Sequence, residues 1–158
     1  MSESDYQNYQ RTAIQKYADE KVQAGNWNSD EAIERSRKEF EGYLTQGVHT
    51  PAHFLFNLVN ENGEKVGLLW YAELSDRPGN AFIYDFEIYD AFRRRGYASQ
   101  ALTALEKDAR QRGMKQIGLH VFGHNSAARE LYKKAGYLET NVMMSKKIPD
   151  TDPVQTHE

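Results

Sequence analysis

The chain contains no cysteine, which excludes disulfides, thiolate metal sites and a cysteine nucleophile. It also lacks any apolar run near the roughly 18 residues of a membrane span. Met1 to Gln10 is polar and acidic rather than a basic leader followed by an apolar stretch. An excess of positive charge is lacking as well. With a net charge of −3, no global positive field holds the chain on nucleic acid or an anionic membrane. The five histidines show no spacing of the His-Glu-x-x-His kind, so no metal site is expected. A cytoplasmic protein without nucleic-acid or membrane partners follows as the expectation.

What is present can build a core. Apolar residues make up 39% of the 158, and 12% are aromatic, with ten Tyr, seven Phe and two Trp. A disordered chain would be poor in both, and this length suits one domain. Charge is unevenly spread: residues 1–80 hold eight Lys and Arg against thirteen Asp and Glu, and residues 81–158 hold twelve against ten. A polyanionic ligand suits the second half and a cationic one the first.

Tyr6, Tyr9, Ala13, Ile14, Tyr17, Ala18 and Val22 recur at helical spacing, and Gly25 with Asn26 closes that helix. Ser29 offers an N-cap, with Asp30 and Glu31 in the first turn, for a second helix running to about Leu44. His53 to Val59 and Lys65 to Leu74 are β-rich runs joined by Asn60-Glu61-Asn62-Gly63, whose Asn-Gly signals an antiparallel hairpin. Ala81 to Tyr89 reads as a third strand.

A helix of about four turns follows from Ala98 and ends near Gly113, then a strand over Gln116 to Phe122, and then a helix capped by Asn125 and ended by Gly136. Tyr137 to Lys147 reads as one or two final strands, and 149–158 as a polar tail. The order of elements describes an α/β or α+β fold, a sheet with helices on both sides.

Ile83 to Ala98 carries the strongest chemical signal, passing from strand through Arg93-Arg94-Arg95-Gly96 into a helix. Free N–H groups at a helix start attract phosphate, a glycine lets phosphate approach the backbone, and arginines add charge-assisted donors. A pyrophosphate site and a solvated basic turn both fit this composition.

Arg93-x-x-Gly96-x-Ala98 resembles the coenzyme A signature, Gln/Arg-x-x-Gly-x-Gly/Ala, of the GNAT superfamily of N-acetyltransferases. Asn125-x-x-Ala128-x-x-Leu131-Tyr132-x-x-x-Gly136-Tyr137 is similar to that family's second motif, with Tyr in the final aromatic place. The resemblance covers about residues 53–147. It implies a GNAT-like mixed, mostly antiparallel sheet, with 1–148 as one domain: helices over 1–48 on the substrate side and a cofactor-binding core over 53–147.

The resemblance further implies acetyl-coenzyme A as donor, a small-molecule or peptide amine as acceptor, and direct transfer in a ternary complex. It carries the pyrophosphate to the loop Arg93, Arg94, Arg95, Gly96, Tyr97, Ala98 and Ser99, and the pantetheine arm to the strand backbone at Ile88 and Tyr89. Asn125 would cap its helix and contact that arm, and Tyr132 fills the family's acid position, protonating the leaving thiolate. A surface aromatic is the plainer role for Tyr132.

An aliphatic amine, with a pKa of about 10, needs a base before it can attack. Alternation places Ile83, Asp85, Glu87 and Tyr89 on one strand face. Glu87 is the first candidate for general base and Asp85 the group that orients the amine; an ion pair on a solvated face is the competing role for both. His120 and His124 could relay a proton, and Trp27, Trp70, Tyr71 and Glu73 either shape the acceptor pocket or pack the core. Other readings stay open: a non-catalytic acyl-coenzyme A sensor, or an enzyme acting on protein N-termini or lysines. A homodimer is compatible with the sequence.

Overall fold

A computed structural model describes residues 1–150; most of the expected tail, residues 151–158, lies outside the described residues. The elements are α1 (Glu3–Gln23), α2 (Ser29–Tyr43), β1 (His53–Val59), β2 (Lys65–Glu73), β3 (Asn80–Ile88), α3 (Tyr97–Gln111), β4 (Gln116–Leu119) and α4 (Ser126–Lys134). The strands form one sheet in chain order, β1 to β3 antiparallel and β4 parallel to β3. This is the mixed, mostly antiparallel sheet that was expected, flanked by helices on both faces.

Local chemistry explains the boundaries. Ser2 caps α1 by accepting the Asp5 N–H at 3.1 Å. Asn60 Oδ1 accepts the N–H groups of Asn62 and Glu64 and holds the β1–β2 hairpin closed. Ser29 does not act as the cap of α2. It is the first helical residue, preceded by Asn28, and its hydroxyl donates to Asp30.

Each sheet face has its own core. On one side Leu55, Leu68 and Trp70 pack against Tyr6, Tyr9, Ala13, Phe40 and Leu44 of α1, α2 and the turn after them. Fully buried Ser36 donates to the Ile14 carbonyl at 2.7 Å and ties the two helices together. On the other side Leu69, Tyr71, Ala81 and Ile83 meet Leu102, Leu105 and Ala109 of α3, with Leu131 and Tyr132 of α4 at the margin. Tyr71 is fully buried, and its hydroxyl donates to Asp108, which also holds Arg112.

Two expectations are corrected. Strict alternation fails in β3: Trp70 pairs with Asp85 but Tyr71 with Ile83, so Tyr84 is an extra, bulged residue. Ile83 therefore lies on the α3 face, while Asp85 and Glu87 share the α1 face. The second correction concerns Tyr137 to Lys147, which forms no strand in the single chain. Leu138, Val142, Met143, Met144 and Ile148 are instead 67–93% exposed, because no neighbouring strand meets that segment.

Gly67 shows how tightly β2 meets β3. A Cβ there would lie 2.0 Å from the Glu87 carbonyl oxygen and 3.1 Å from the Ile88 Cα, both backbone atoms. Gly67→Ala is expected to force the strands apart at a cost of about 1–3 kcal/mol, read as a fall of several degrees in the thermal midpoint by circular dichroism.

Candidate active site

The site is built where β3 and β4 part. Their pairing runs only from Asn80↔Gln116 to Ile83↔Leu119, whereas β3 continues to Ile88. Beyond the bulge, the β3 backbone edge that faces β4 has no strand partner among the described residues. That edge leads through Tyr89 into the Arg93–Gly96 loop and then α3.

The loop is shaped to expose its N–H groups. Arg94 has φ +60° and Gly96, the N-cap of α3, has φ +80°. Left-handed residues interspersed with right-handed or extended ones turn successive N–H groups towards one concavity. Among the described residues no side chain caps the start of α3, which leaves its first amides available. The arginines differ in use: Arg93 turns back, donating from Nε to the Ile88 carbonyl at 3.0 Å and pairing with Asp90 at 2.9 Å. The Arg95 guanidinium lies 5.6 Å from the Phe92 ring centroid. Arg94, Ser99 and the loop glycine are exposed; Tyr97 and Ala98 are partly covered, with Asn60 donating to the Tyr97 hydroxyl at 3.4 Å.

At the centre of β3, Asp85 accepts a 2.8 Å hydrogen bond from the Tyr9 hydroxyl of α1. Desolvation is the largest influence on its carboxyl and pushes its pKa up, against opposing effects from Lys16, Tyr9 and the Phe86 amide. Glu87 pairs with Lys16 at 3.4 Å. The two carboxylates thus sit in different environments on one face.

Tyr132 projects from α4 towards the same region, 6.5 Å from Phe86 and 5.5 Å from Tyr137 between ring centroids. Burial raises its pKa, with smaller contributions from Tyr137 and Asp85. Asn125 caps α4 by accepting the Ala128 N–H at 3.2 Å. Ile88 is buried at the strand end, and Tyr89 donates its N–H to the Val66 carbonyl at 2.8 Å.

Two pockets adjoin Asp85 on the α1 side. One is lined by α1 and the β1–β2 hairpin and includes Tyr9, Lys65, Glu87 and Tyr89; the other lies between α1, α2 and Tyr84. Asp5, hydrogen-bonded by Lys65, Ser2 and Asn57, is held far below the usual carboxylate range and anchors α1 beside the first pocket.

Among the residues weighed for the acceptor pocket, only Trp70 lines one. Trp27 is buried between α1 and α2, Tyr71 faces α3, and Glu73 accepts the Gly79 N–H. His120 is exposed, and His124 stacks on Phe122 at 5.5 Å.

Sequence reasoning missed Tyr9, Lys16 and Glu20. Their spacing of seven and four residues places them along one stripe of α1. Polar groups within that otherwise apolar stripe were the available signal.

Comparison with known proteins agrees with this geometry. The acetyltransferase (GNAT) family model matches residues 16–137. The Bacillus subtilis (strain 168) protein named "uncharacterized N-acetyltransferase YycN" is 42% identical over 94% of this chain and 96% of its own. Another from the same organism, YdgE, is 37% identical over 94% and 95%. The crystal structure of YycN superposes with a TM-score of 0.90 at 41% identity, covering 95% of this chain and 96% of that one.

The desolvated Asp85 generates a stability prediction. Its folded pKa lies above the unfolded value, so the folded state binds the proton more tightly, and stability falls as pH rises from the unfolded pKa through the folded one. Asp85→Asn removes that dependence. Its thermal midpoint is expected to exceed the parent's at pH 7–8, with the difference shrinking towards pH 4 in a melting series.

Proposed function

The chain belongs to the acetyltransferase (GNAT) family, and from that premise we propose that it transfers an acetyl group from acetyl-coenzyme A to a primary amine by direct attack in a ternary complex. The observation that carries this reading is the parting of β3 from β4 beside a loop of outward N–H groups, with a desolvated carboxyl on the opposite face. In this reading 53–147 is the cofactor core and 1–48 supplies the acceptor side.

Residues fit the donor along the whole path. The Arg94 to Ser99 backbone, with the Arg94 and Arg95 side chains, would receive the pyrophosphate, and Arg93 would brace the loop on Ile88 and Asp90. The free edge of β3 towards Ile88 and Tyr89, together with Asn125, would meet the pantetheine amides. Acetyl-coenzyme A supplies the acyl group as a thioester, with a thiol as the leaving group.

Asp85 is assigned the proton that the acceptor ammonium loses before its nitrogen attacks the thioester carbonyl. Its raised pKa brings it nearer that task than an ordinary carboxylate, and Tyr9 fixes its orientation. Glu87, tied to Lys16, sets the local field. The environments thus favour Asp85 over Glu87, the reverse of the order expected from the residues alone, where Glu87 came first for lying nearer the loop.

Tyr132, its pKa pushed up by burial, stays protonated at neutral pH and always presents a donor. Full transfer from it to a thiolate with a pKa of about 8.5 runs uphill, so it acts by hydrogen-bonding to the developing negative charge as the sulfur departs.

The C-terminal segment supports a homodimer. Residues 138–148 form no strand and expose five large apolar side chains, and β4 is an edge strand. Each copy thus has an apolar segment to give and the β4 edge to receive it, an exchange that closes at two copies. Met143→Glu is expected to convert a dimer to a monomer in sedimentation at micromolar concentration; an unchanged mass for the two proteins would remove this assembly.

The transferase itself is tested by calorimetry and thiol release. Tyr132→Phe is expected to lower turnover about 10²-fold while leaving the acetyl-coenzyme A Kd within about threefold. Gly96→Ala, which imposes a left-handed alanine at a cost of about 1–2 kcal/mol, is expected to raise that Kd about tenfold. Absence of acetyl-coenzyme A binding by the parent would overturn the function.

A further inference from the structure

Between α1, α2 and the bulge of β3 lies a pocket with aromatic walls and mainly acidic charges. Tyr84, the bulged residue, stacks on Trp70 at 4.7 Å and 17°. Tyr43 closes on Tyr84 at 4.8 Å and stands edge-on to Trp70 at 6.3 Å. Across the opening Tyr17 stands edge-on to Phe40 at 6.3 Å. Glu20 and Glu39 enter from the two helices, and Asp85 lies at the junction with the neighbouring pocket.

The cations nearby are already engaged. Lys16, the basic residue of the lining, pairs with Glu87. Lys21 lies 5.5 Å from the Tyr17 ring centroid but is shared with Trp27 and Phe122. Among the described residues, neither Glu20 nor Glu39 belongs to an ion pair within 4.0 Å. Burial is the largest influence on Glu20 and pushes its pKa up, against the opposing charges of Lys16 and His124. Aromatic faces attract cations through their quadrupole, most strongly where water is displaced. An anionic or uncharged occupant gives Glu20 no direct ion pair; a cation supplies one.

We propose that this pocket holds the second, still-charged ammonium of an aliphatic diamine acceptor, between Tyr17, Tyr43, Trp70 and Tyr84 and against Glu20 and Glu39, with the diamine's other amine at Asp85. The proposal rests on the transferase reading above. Two amines are needed because the demands conflict. An ammonium held by carboxylates and ring faces is stabilised in its charged form and cannot attack, whereas the reacting nitrogen must lose its proton.

The test separates the pocket from the reaction. Choline and its uncharged isostere 3,3-dimethylbutan-1-ol, neither of which has an amine to acetylate, are titrated into the full chain. In parallel, thiol release from acetyl-coenzyme A is followed with 1,5-diaminopentane and with pentylamine. Choline is expected to bind at least tenfold more tightly than the isostere, and the Glu20→Gln, Glu39→Gln double variant to lose about tenfold in choline affinity alone. Diaminopentane is expected to have a KM at least tenfold below that of pentylamine, a gap that closes in the double variant.

If circular dichroism shows that variant unfolded, Tyr43→Leu, at a half-exposed position, replaces it with the same expectation. Equal affinity for cation and isostere, or choline binding untouched by the variants, overturns the cation pocket. Cation preference without thiol release from any amine upholds the pocket and overturns its acceptor role together with the transferase reading. Thiol release with equal KM for the two amines upholds the transferase reading and overturns the diamine.

Discussion

One extra residue in β3 governs the geometry of this molecule. The bulge at Tyr84 lets Ile83 complete the core under α3 and then, two positions later, puts Asp85 on the opposite face under α1. In an unbroken strand Ile83 and Asp85 would share a face, so either an isoleucine would meet the polar pocket or an aspartate the apolar core. The same place marks the end of pairing with β4. A free backbone edge and a buried carboxyl therefore arise together. The added twist of a bulged strand is a physical reason for two parallel strands to diverge there.

Helix α1 completes what the bulge begins. Its apolar stripe, Tyr6, Tyr9 and Ala13, packs on Leu55, Leu68 and Trp70, while Tyr9 and Lys16 hold Asp85 and Glu87 by their polar ends. A tyrosine suits this double duty, since its ring fills the core and its hydroxyl satisfies a desolvated carboxylate. Asp5, bound by Lys65 and Asn57, fixes the start of the helix against the hairpin. Packing and site geometry are thus set by the same side chains. A change in α1 that disturbs the core also moves the partners of both carboxylates.

Much of this was legible in the residues. Asn60 to Gly63 announced the hairpin, Asn125 and Gly136 bracketed α4, and the helical spacings located α1 and α3, because each signal is local. The Arg93 to Ala98 and Asn125 to Tyr137 patterns led to the family because their order and spacing extend over a large part of the chain. The bulge was not legible, since alternation assumes a register that only the partner strand determines. Nor was the bond from Tyr9 to Asp85, which spans 76 positions. The last segment reads as strand because its residues favour pairing, yet a strand also requires an edge to pair with, and residue type alone does not supply one.

The uneven charge along the chain acquires a spatial meaning in the fold. The arginine-rich loop lies beyond the end of β3, in the more basic half of the sequence, while Glu20 and Glu39 come from the acidic first half and flank the bulge at the middle of the strand. One strand thus has an arginine-rich loop beyond its C-terminal end and an aromatic-walled pocket with mainly acidic charges beside its centre. For a reaction between a polyanionic donor and a cationic acceptor, this arrangement favours each reactant at its own place and disfavours it at the other's. The carboxyl between them has its charge discouraged by desolvation and restored by Tyr9 and Lys16. That balance suits a group that must take up a proton and release it again, whereas a fully solvated or fully paired carboxylate would stay charged.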